Sequence, residues 1–94
     1  MTSQNLQFHA VIQGRVQGVG YRFFVRNQAQ KMGIHGWVRN LPEGDVEVLA
    51  QGTEDVLKQF LMKLGKGPEM SYVMNVDADW ERPERIFTTF DITF

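Results

Sequence analysis

Two helical segments with apolar stripes, set among strand-like segments, most constrain how this chain of 94 residues folds. From Tyr21 to Met32, apolar or small residues recur at helical spacing, and Gly33 follows as a C-terminal stop. In the second segment Thr53 is the predicted N-cap, Gly65 the predicted end, and the stripe comprises Val56, Leu57, Phe60, Leu61 and Leu64. Because each helix has a single apolar stripe, both must pack on one shared surface.

Strand-like segments supply that surface. Leu6, Phe8, Ala10 and Ile12 alternate with polar residues, and the segments 35–40 and 46–52 flank the turn sequence LPEGD as a hairpin. Near the C-terminus, Phe90, Ile92 and Phe94 alternate along a last strand. The clearest alternation sets Met74, Val76, Ala78 and Trp80 against Asn75, Asp77, Asp79 and Glu81.

The predicted order is therefore β-α-β-β-α-β plus a short C-terminal strand. Two helices covering one face of an antiparallel sheet give the α+β class, and the simplest topology is the ferredoxin-like α/β sandwich. In that topology the first two strands run parallel with the third between them. Gly14 and Asn40 then end their strands at the same rim, about 10 Å apart, since two inter-strand spacings separate them.

Composition narrows the possible functions. A net charge of −1 argues against bulk electrostatic binding of nucleic acid, and the absence of cysteine excludes disulfides and thiolate ligands. No apolar run approaches the ~20 residues of a membrane span, and the first residues lack the pattern of a signal peptide. We therefore expect a single domain over residues 1–94, cytoplasmic and monomeric.

The stretch GRVQGVGYRFF, from Gly14 to Phe24, joins the first strand to the first helix and contains no acid, thiol or histidine. Its glycines allow backbone N–H groups to face an anion at the helix N-terminus, and Arg22 adds a forked cation. The spacing matches neither the dinucleotide-binding GxGxxG pattern nor the Walker pattern. On these residues alone, a tight turn beside an ordinary surface arginine remains equally open.

Two motifs together are more specific. GRVQGVGYR at 14–22 and GWVRN at 36–40 resemble the acylphosphatase family, and the similarity extends over nearly the whole chain. The resemblance implies hydrolysis of the carboxyl–phosphate bond of acyl phosphates. It also implies catalytic roles for Arg22 and Asn40, and a substrate-binding cradle made with Arg22 by the backbone amides of Val16, Gln17, Gly18, Val19, Gly20 and Tyr21.

The side chains at these positions suggest a mechanism. Arg22 stays protonated and cannot act as a base, whereas the Asn40 amide can exchange hydrogen bonds with a water. We therefore predict that Asn40 orients the attacking water and that the substrate's own phosphoryl group takes the proton. The prediction includes no metal and no cofactor, and it includes phosphate or sulfate as an anion that occupies the cradle. Because glycine has more backbone freedom than other residues, Gly20 means that the sequence does not determine how rigid the cradle is.

Other functions are compatible with parts of the sequence. A non-catalytic ferredoxin-like module could bind phosphate or nucleic acid, but Asn75, Asp77, Asp79 and Glu81 would face an RNA backbone with negative charge. Carboxylates at Glu43 and Asp45 suit a turn better than a metal site. We expect Arg39 to face away from the cradle, because neighbouring strand residues point to opposite faces.

Overall fold

The computed structural model of the protein describes residues 5–94. The elements are β1 Leu6–Arg15, α1 Tyr21–Met32, β2 His35–Asn40, β3 Val46–Gly52, α2 Glu54–Lys66, β4 Tyr72–Glu81 and β5 Phe90–Ile92. This order confirms the predicted succession of helices and strands. The predicted domain limits also include residues 1–4, which lie outside the described residues.

The strands form one sheet in the order β4-β1-β3-β2-β5. Both β1 and β2 pair antiparallel with β3, so they run parallel to each other as the sequence predicts. Ile12 and Asn40 pair with the same residue of β3, Val46, so the end of β2 lies level with Ile12, three residues before the end of β1 at Arg15. The short β5 pairs parallel with β2, so the ferredoxin-like sheet is mixed and its first four strands alone are antiparallel.

The hydrophobic core lies between the two helices and one face of the sheet. Alternate residues of β1 and β3 supply the sheet side, because side chains along a strand point to opposite faces. The fully buried residues of these two strands and the helices are Phe8, Ala10, Ile12, Val46, Val48, Ala50, Tyr21, Val25, Ala29, Leu57, Phe60 and Leu64. This packing fixes α1 over the sheet and therefore fixes where the β1–α1 loop sits.

The predicted end of α2 at Gly65 is wrong. The helix continues to Lys66 and ends at Gly67, whose φ is 68° and whose N–H donates to the Lys63 carbonyl. Gly65 has no positive φ and lies exposed on the helix surface. Since a positive φ at the residue after the last turn is what commonly terminates a helix, the second glycine is the stop.

The alternation along β4 predicts that Met74 shares a face with Val76 and Ala78, and this prediction is wrong. The register between β1 and β4 shifts between Gln13 and Gly14, which pair with Asn75 and Val73, so Met74 is an extra residue in a β-bulge. Val73, Val76 and Ala78 pack against the core, whereas Met74 is 72% exposed. Because of the bulge, the residues that precede it in β4 point to the face opposite to the one that a regular alternation predicts.

Candidate active site

The loop between β1 and α1 exposes unpaired backbone donors. None of the loop and cap hydrogen bonds within residues 5–94 uses the N–H groups of residues 16–20. Gly18 and Gly20 have φ of 74° and 79°, the left-handed region that side chains rarely adopt. A Cβ built at either glycine would meet no atom within 4 Å, so the space beside the loop is open. The loop therefore presents backbone N–H donors beside open space.

The N-terminus of α1 adds to this positive potential. Its N-cap is Gly20, which provides no side-chain hydrogen bond, and its first turn contains no acidic residue. Instead Arg22 lies in the first turn, where a cation is disfavoured by ~0.3–1 kcal/mol near the positive end of the helix dipole. An anion bound at this end would reverse that penalty.

Two buried side chains hold the ends of the loop. Val16 and Tyr21 are each 1% exposed, so their side chains pack into the hydrophobic core. The Tyr21 hydroxyl donates to the Leu64 carbonyl of α2 at 2.7 Å, and burial raises the pKa of Tyr21 well above its ordinary value. This hydroxyl is therefore a neutral structural donor that ties α1 to α2.

Arg22 lies against the C-terminus of the chain. Its guanidinium carbon is 5.6 Å from the centre of the Phe94 ring, a cation–π contact. Phe94 follows Thr93, whose N–H donates to the Val38 carbonyl at 2.8 Å, two residues before Asn40. None of the three salt bridges among the described residues involves Arg22. The guanidinium is therefore held near β2 without a carboxylate partner.

Asn40 is the last residue of β2 and shares its face with the buried Val38, toward the helices. Its Oδ1 atom is buried and accepts no hydrogen bond from residues 5–94. A buried amide oxygen without a partner costs ~1–3 kcal/mol, and such groups in native proteins call for a specific explanation. Among the buried side-chain nitrogen and oxygen atoms of these residues, Asn40 Oδ1 alone lacks a hydrogen-bond partner.

The Gln17 side chain joins the loop to the segment that follows Asn40. Its Nε2 donates to the carbonyls of Leu41 and Asp45, at 2.8 Å each. The sequence prediction used only the backbone amide of Gln17 and missed this side-chain role, as it missed Phe94. Gln17 is the one long amide side chain within residues 16–21, a signal that could have drawn attention to it.

The remaining candidates lie elsewhere. Arg39 donates to Glu47 and stacks over Trp37 on the opposite sheet face, as predicted. Phe23 lies under the guanidinium of Arg26, at 5.2 Å from ring centre to guanidinium carbon. Among residues 5–94, no three His, Asp or Glu side chains form a group that could hold a metal ion. The described helices include none long and apolar enough to cross a membrane.

Comparison with known proteins gives consistent matches over the whole of this architecture. The family model described as Acylphosphatase matches residues 8–92. An acylphosphatase of Bacillus licheniformis is 43% identical over 89 residues, which cover 95% of this chain and 99% of that protein. The crystal structure of an acylphosphatase from Bacillus subtilis superposes with a TM-score of 0.92 at 37% identity, covering 95% of this chain and 99% of that one.

The same fold also matches part of a larger protein. The structure of full-length HypF in its phosphate- and nucleotide-bound form aligns with 100% of this chain but only 12% of its own, at 25% identity and a TM-score of 0.88. The fold therefore occurs both in small proteins of this length and within a longer chain.

Proposed function

Because this chain belongs to the acylphosphatase family, we propose that it hydrolyses acyl phosphates to a carboxylate and inorganic phosphate through Arg22, Asn40 and the 16–21 loop. The observation that carries the assignment of residues is the unpartnered Asn40 Oδ1, at the end of β2, which β3 places level with Ile12 near the C-terminal end of β1. An amide without a structural hydrogen bond at that oxygen is free to bind a water or a phosphoryl group.

The backbone N–H groups of Val16, Gln17, Gly18, Val19, Gly20 and Tyr21 hold the phosphoryl oxygens. They have no loop hydrogen bonds of their own from 16 to 20, and the N-terminal N–H groups of a helix lack intrahelical partners. Arg22 follows directly and adds a fixed positive charge. Preorganised donors of this kind stabilise the charge of a transferring phosphoryl group without reorganising during the reaction.

Asn40 orients the attacking water. Rotation about its terminal torsion exchanges the oxygen and nitrogen positions, so the amide can present an acceptor or a donor to that water. The water oxygen attacks phosphorus in line, the bond between phosphorus and the acyl oxygen breaks, and the carboxylate leaves with the electron pair. The water's proton passes to a phosphoryl oxygen. A carboxylate leaves without the help of a general acid, so no side chain needs to donate a proton to it.

The assay that tests this function measures benzoyl phosphate hydrolysis in the presence of EDTA. We expect the wild type to be active, because this mechanism uses no metal ion. Arg22→Ala should lower kcat by about 10²–10³-fold and raise KM, since the guanidinium contributes to binding and to the transition state. Arg26→Ala, which removes a neighbouring arginine that stacks on Phe23, is the matched control and should retain activity.

Two outcomes would overturn the proposal. A wild type that is inactive without added magnesium would contradict the water mechanism. Arg22→Ala with wild-type kinetics would contradict the role of the guanidinium. Phosphate or sulfate binding in the cradle is a further part of the proposal, and the unpaired backbone amides support it. A monomeric state and a cytoplasmic location are also proposed, and the absence of cysteine fits a reducing compartment.

A further inference from the structure

The Gln17 amide connects the two halves of the proposed site. Both hydrogens of Nε2 are used, one to the Leu41 carbonyl and one to the Asp45 carbonyl, each at 2.8 Å. The same two carbonyls close the β2–β3 turn, since Leu41 N–H donates to Asp45 and Gly44 N–H donates to Leu41. The Gln17 side chain of the β1–α1 loop thus donates to the same carbonyls that accept the hydrogen bonds of the β2–β3 turn.

This connection lies next to the water-orienting residue. Leu41 follows Asn40 directly, so a hydrogen bond to its carbonyl fixes the peptide group at the end of β2. In the middle of the cradle the Val19 side chain packs against the core, whereas Cβ atoms at Gly18 and Gly20 would meet nothing within 4 Å. Gln17 makes the only side-chain hydrogen bonds that join residues 16–20 to the rest of the described chain.

From these contacts we propose that Gln17 is a positioning residue, which sets the distance and orientation between the phosphoryl group in the cradle and the water held by Asn40. This inference rests on the proposed function. In-line attack requires the water and phosphorus to be within ~3–3.5 Å, and a displacement of ~1 Å can cost ~10²-fold in rate. Phosphate is bound by the backbone amides of the loop and does not need Asn40. The loss of the Gln17 contacts should therefore lower kcat more than it weakens phosphate binding.

The test compares Gln17→Met with Gln13→Met. Methionine matches glutamine in length but cannot donate a hydrogen bond. Gln13 is the matched control, because its Oε1 accepts from Asn75 Nδ2 at 3.1 Å on the exposed open face of the sheet, away from the cradle. We expect Gln17→Met to lower kcat by ~10–100-fold while the dissociation constant of inorganic phosphate changes by less than ~3-fold. Gln13→Met should match the wild type in both.

A double-mutant cycle with Asn40→Ala separates positioning from a general loss of structure. If Gln17 acts through Asn40, then adding Gln17→Met to Asn40→Ala should cost less than ~2-fold further in kcat. Gln17→Asn, which is one methylene too short to reach both carbonyls, serves as a second variant and should show the same loss as Gln17→Met. Thermal unfolding of every variant establishes that each is folded at the assay temperature.

The possible results are distinct. An inactive wild type would overturn the proposed function itself. An active wild type with Gln17→Met within ~2-fold in kcat, or with losses that multiply fully in the double mutant, would overturn the positioning role alone. Phosphate affinity that weakens as much as kcat falls would assign Gln17 to the shape of the cradle and would also contradict the inference.

Discussion

At the scale of single residues, the candidate site is a set of polar groups without partners. Among residues 5–94, no loop hydrogen bond uses the N–H groups of 16–20, and the buried Asn40 Oδ1 accepts no hydrogen bond. The Arg22 guanidinium takes part in none of the salt bridges of these residues. Unpaired polar groups of this kind lower the free energy of unfolding. Their concentration at one rim fits a surface prepared for a charged ligand, and an anion there would supply the missing hydrogen bonds.

Glu47 is the clearest titrating residue outside that site. Burial alone would raise the pKa of its carboxyl group, but hydrogen bonds and charge from Arg39 and His9 outweigh it and hold the pKa below the ordinary value of 4.5. A group with a lowered pKa in the folded state stabilises the protein fully above its unfolded pKa. That stability is lost as pH falls through the folded pKa.

We therefore predict that Glu47→Gln is less stable than the wild type at pH 7 and that the difference shrinks as pH falls below about 4.5. Urea unfolding at a series of pH values measures this effect. Glu69→Gln is the control, because Glu69 is exposed and takes part in none of the salt bridges of the described chain. A stability difference for Glu47→Gln that is constant from pH 7 to pH 3 would contradict the account.

At the scale of elements, glycines near the end of α2 behave oppositely. Gly65 is helical and exposed, and a Cβ there would lie 4.0 Å from Val76 Cγ2, an ordinary contact. Gly65→Ala should therefore raise the free energy of unfolding by ~0.5–1 kcal/mol, because alanine restricts the unfolded chain and favours the helix. The increase corresponds to a melting temperature higher by roughly 2–8 °C.

Gly67→Ala is the matched variant. Gly67 has φ of 68°, and a Cβ would lie 2.3 Å from the Ser71 Oγ atom. With ψ of 177°, Gly67 adopts a backbone conformation that essentially only glycine occupies and that costs another residue ~1–3 kcal/mol, so the melting temperature should fall. Calorimetry of both variants measures the contrast. Equal shifts for the two substitutions would contradict the placement of the helix end at Gly67.

Two elements also show why sequence periodicity fails locally. The alternation across Met74, Val76, Ala78 and Trp80 is regular in the sequence. The bulge at Met74 nevertheless makes the residues before it point to the opposite face of the sheet. Bulges depend on the register of the neighbouring strand, which a one-dimensional pattern does not contain. In α2, Gly65 and Gly67 are both plausible stops, and only the backbone angle distinguishes them.

At the scale of the whole molecule, the prediction that carried most information was the parallel arrangement of β1 and β2. It follows from two helices with one stripe each, and the order of elements along the chain is enough to bring Gly14 and Asn40 to one rim. The sheet confirms that arrangement, since Ile12 and Asn40 share a partner on β3. Assignments to Arg22, Asn40 and the 16–21 amides come with the family resemblance and remain predictions until they are measured.

The contacts that the sequence did not predict are between distant segments. Gln17 reaches the β2–β3 turn, Phe94 reaches Arg22, and β5 pairs parallel with β2. Each joins parts of the chain whose proximity depends on how all the elements pack. No local pattern in the glutamine or the terminal phenylalanine indicates its partner. The composition and spacing of the loop therefore predict the donors of the site but not the contacts that position them.

In the proposed mechanism the cradle and the water orienter have separate functions on one rim, and Asn40→Ala tests this separation most directly. Calorimetric titration gives its dissociation constant for inorganic phosphate, and benzoyl phosphate hydrolysis gives its kcat. We predict that kcat falls by about 10²–10³-fold while the phosphate dissociation constant stays within ~3-fold of the wild type. Loss of phosphate binding together with kcat, or an unchanged kcat, would contradict the account.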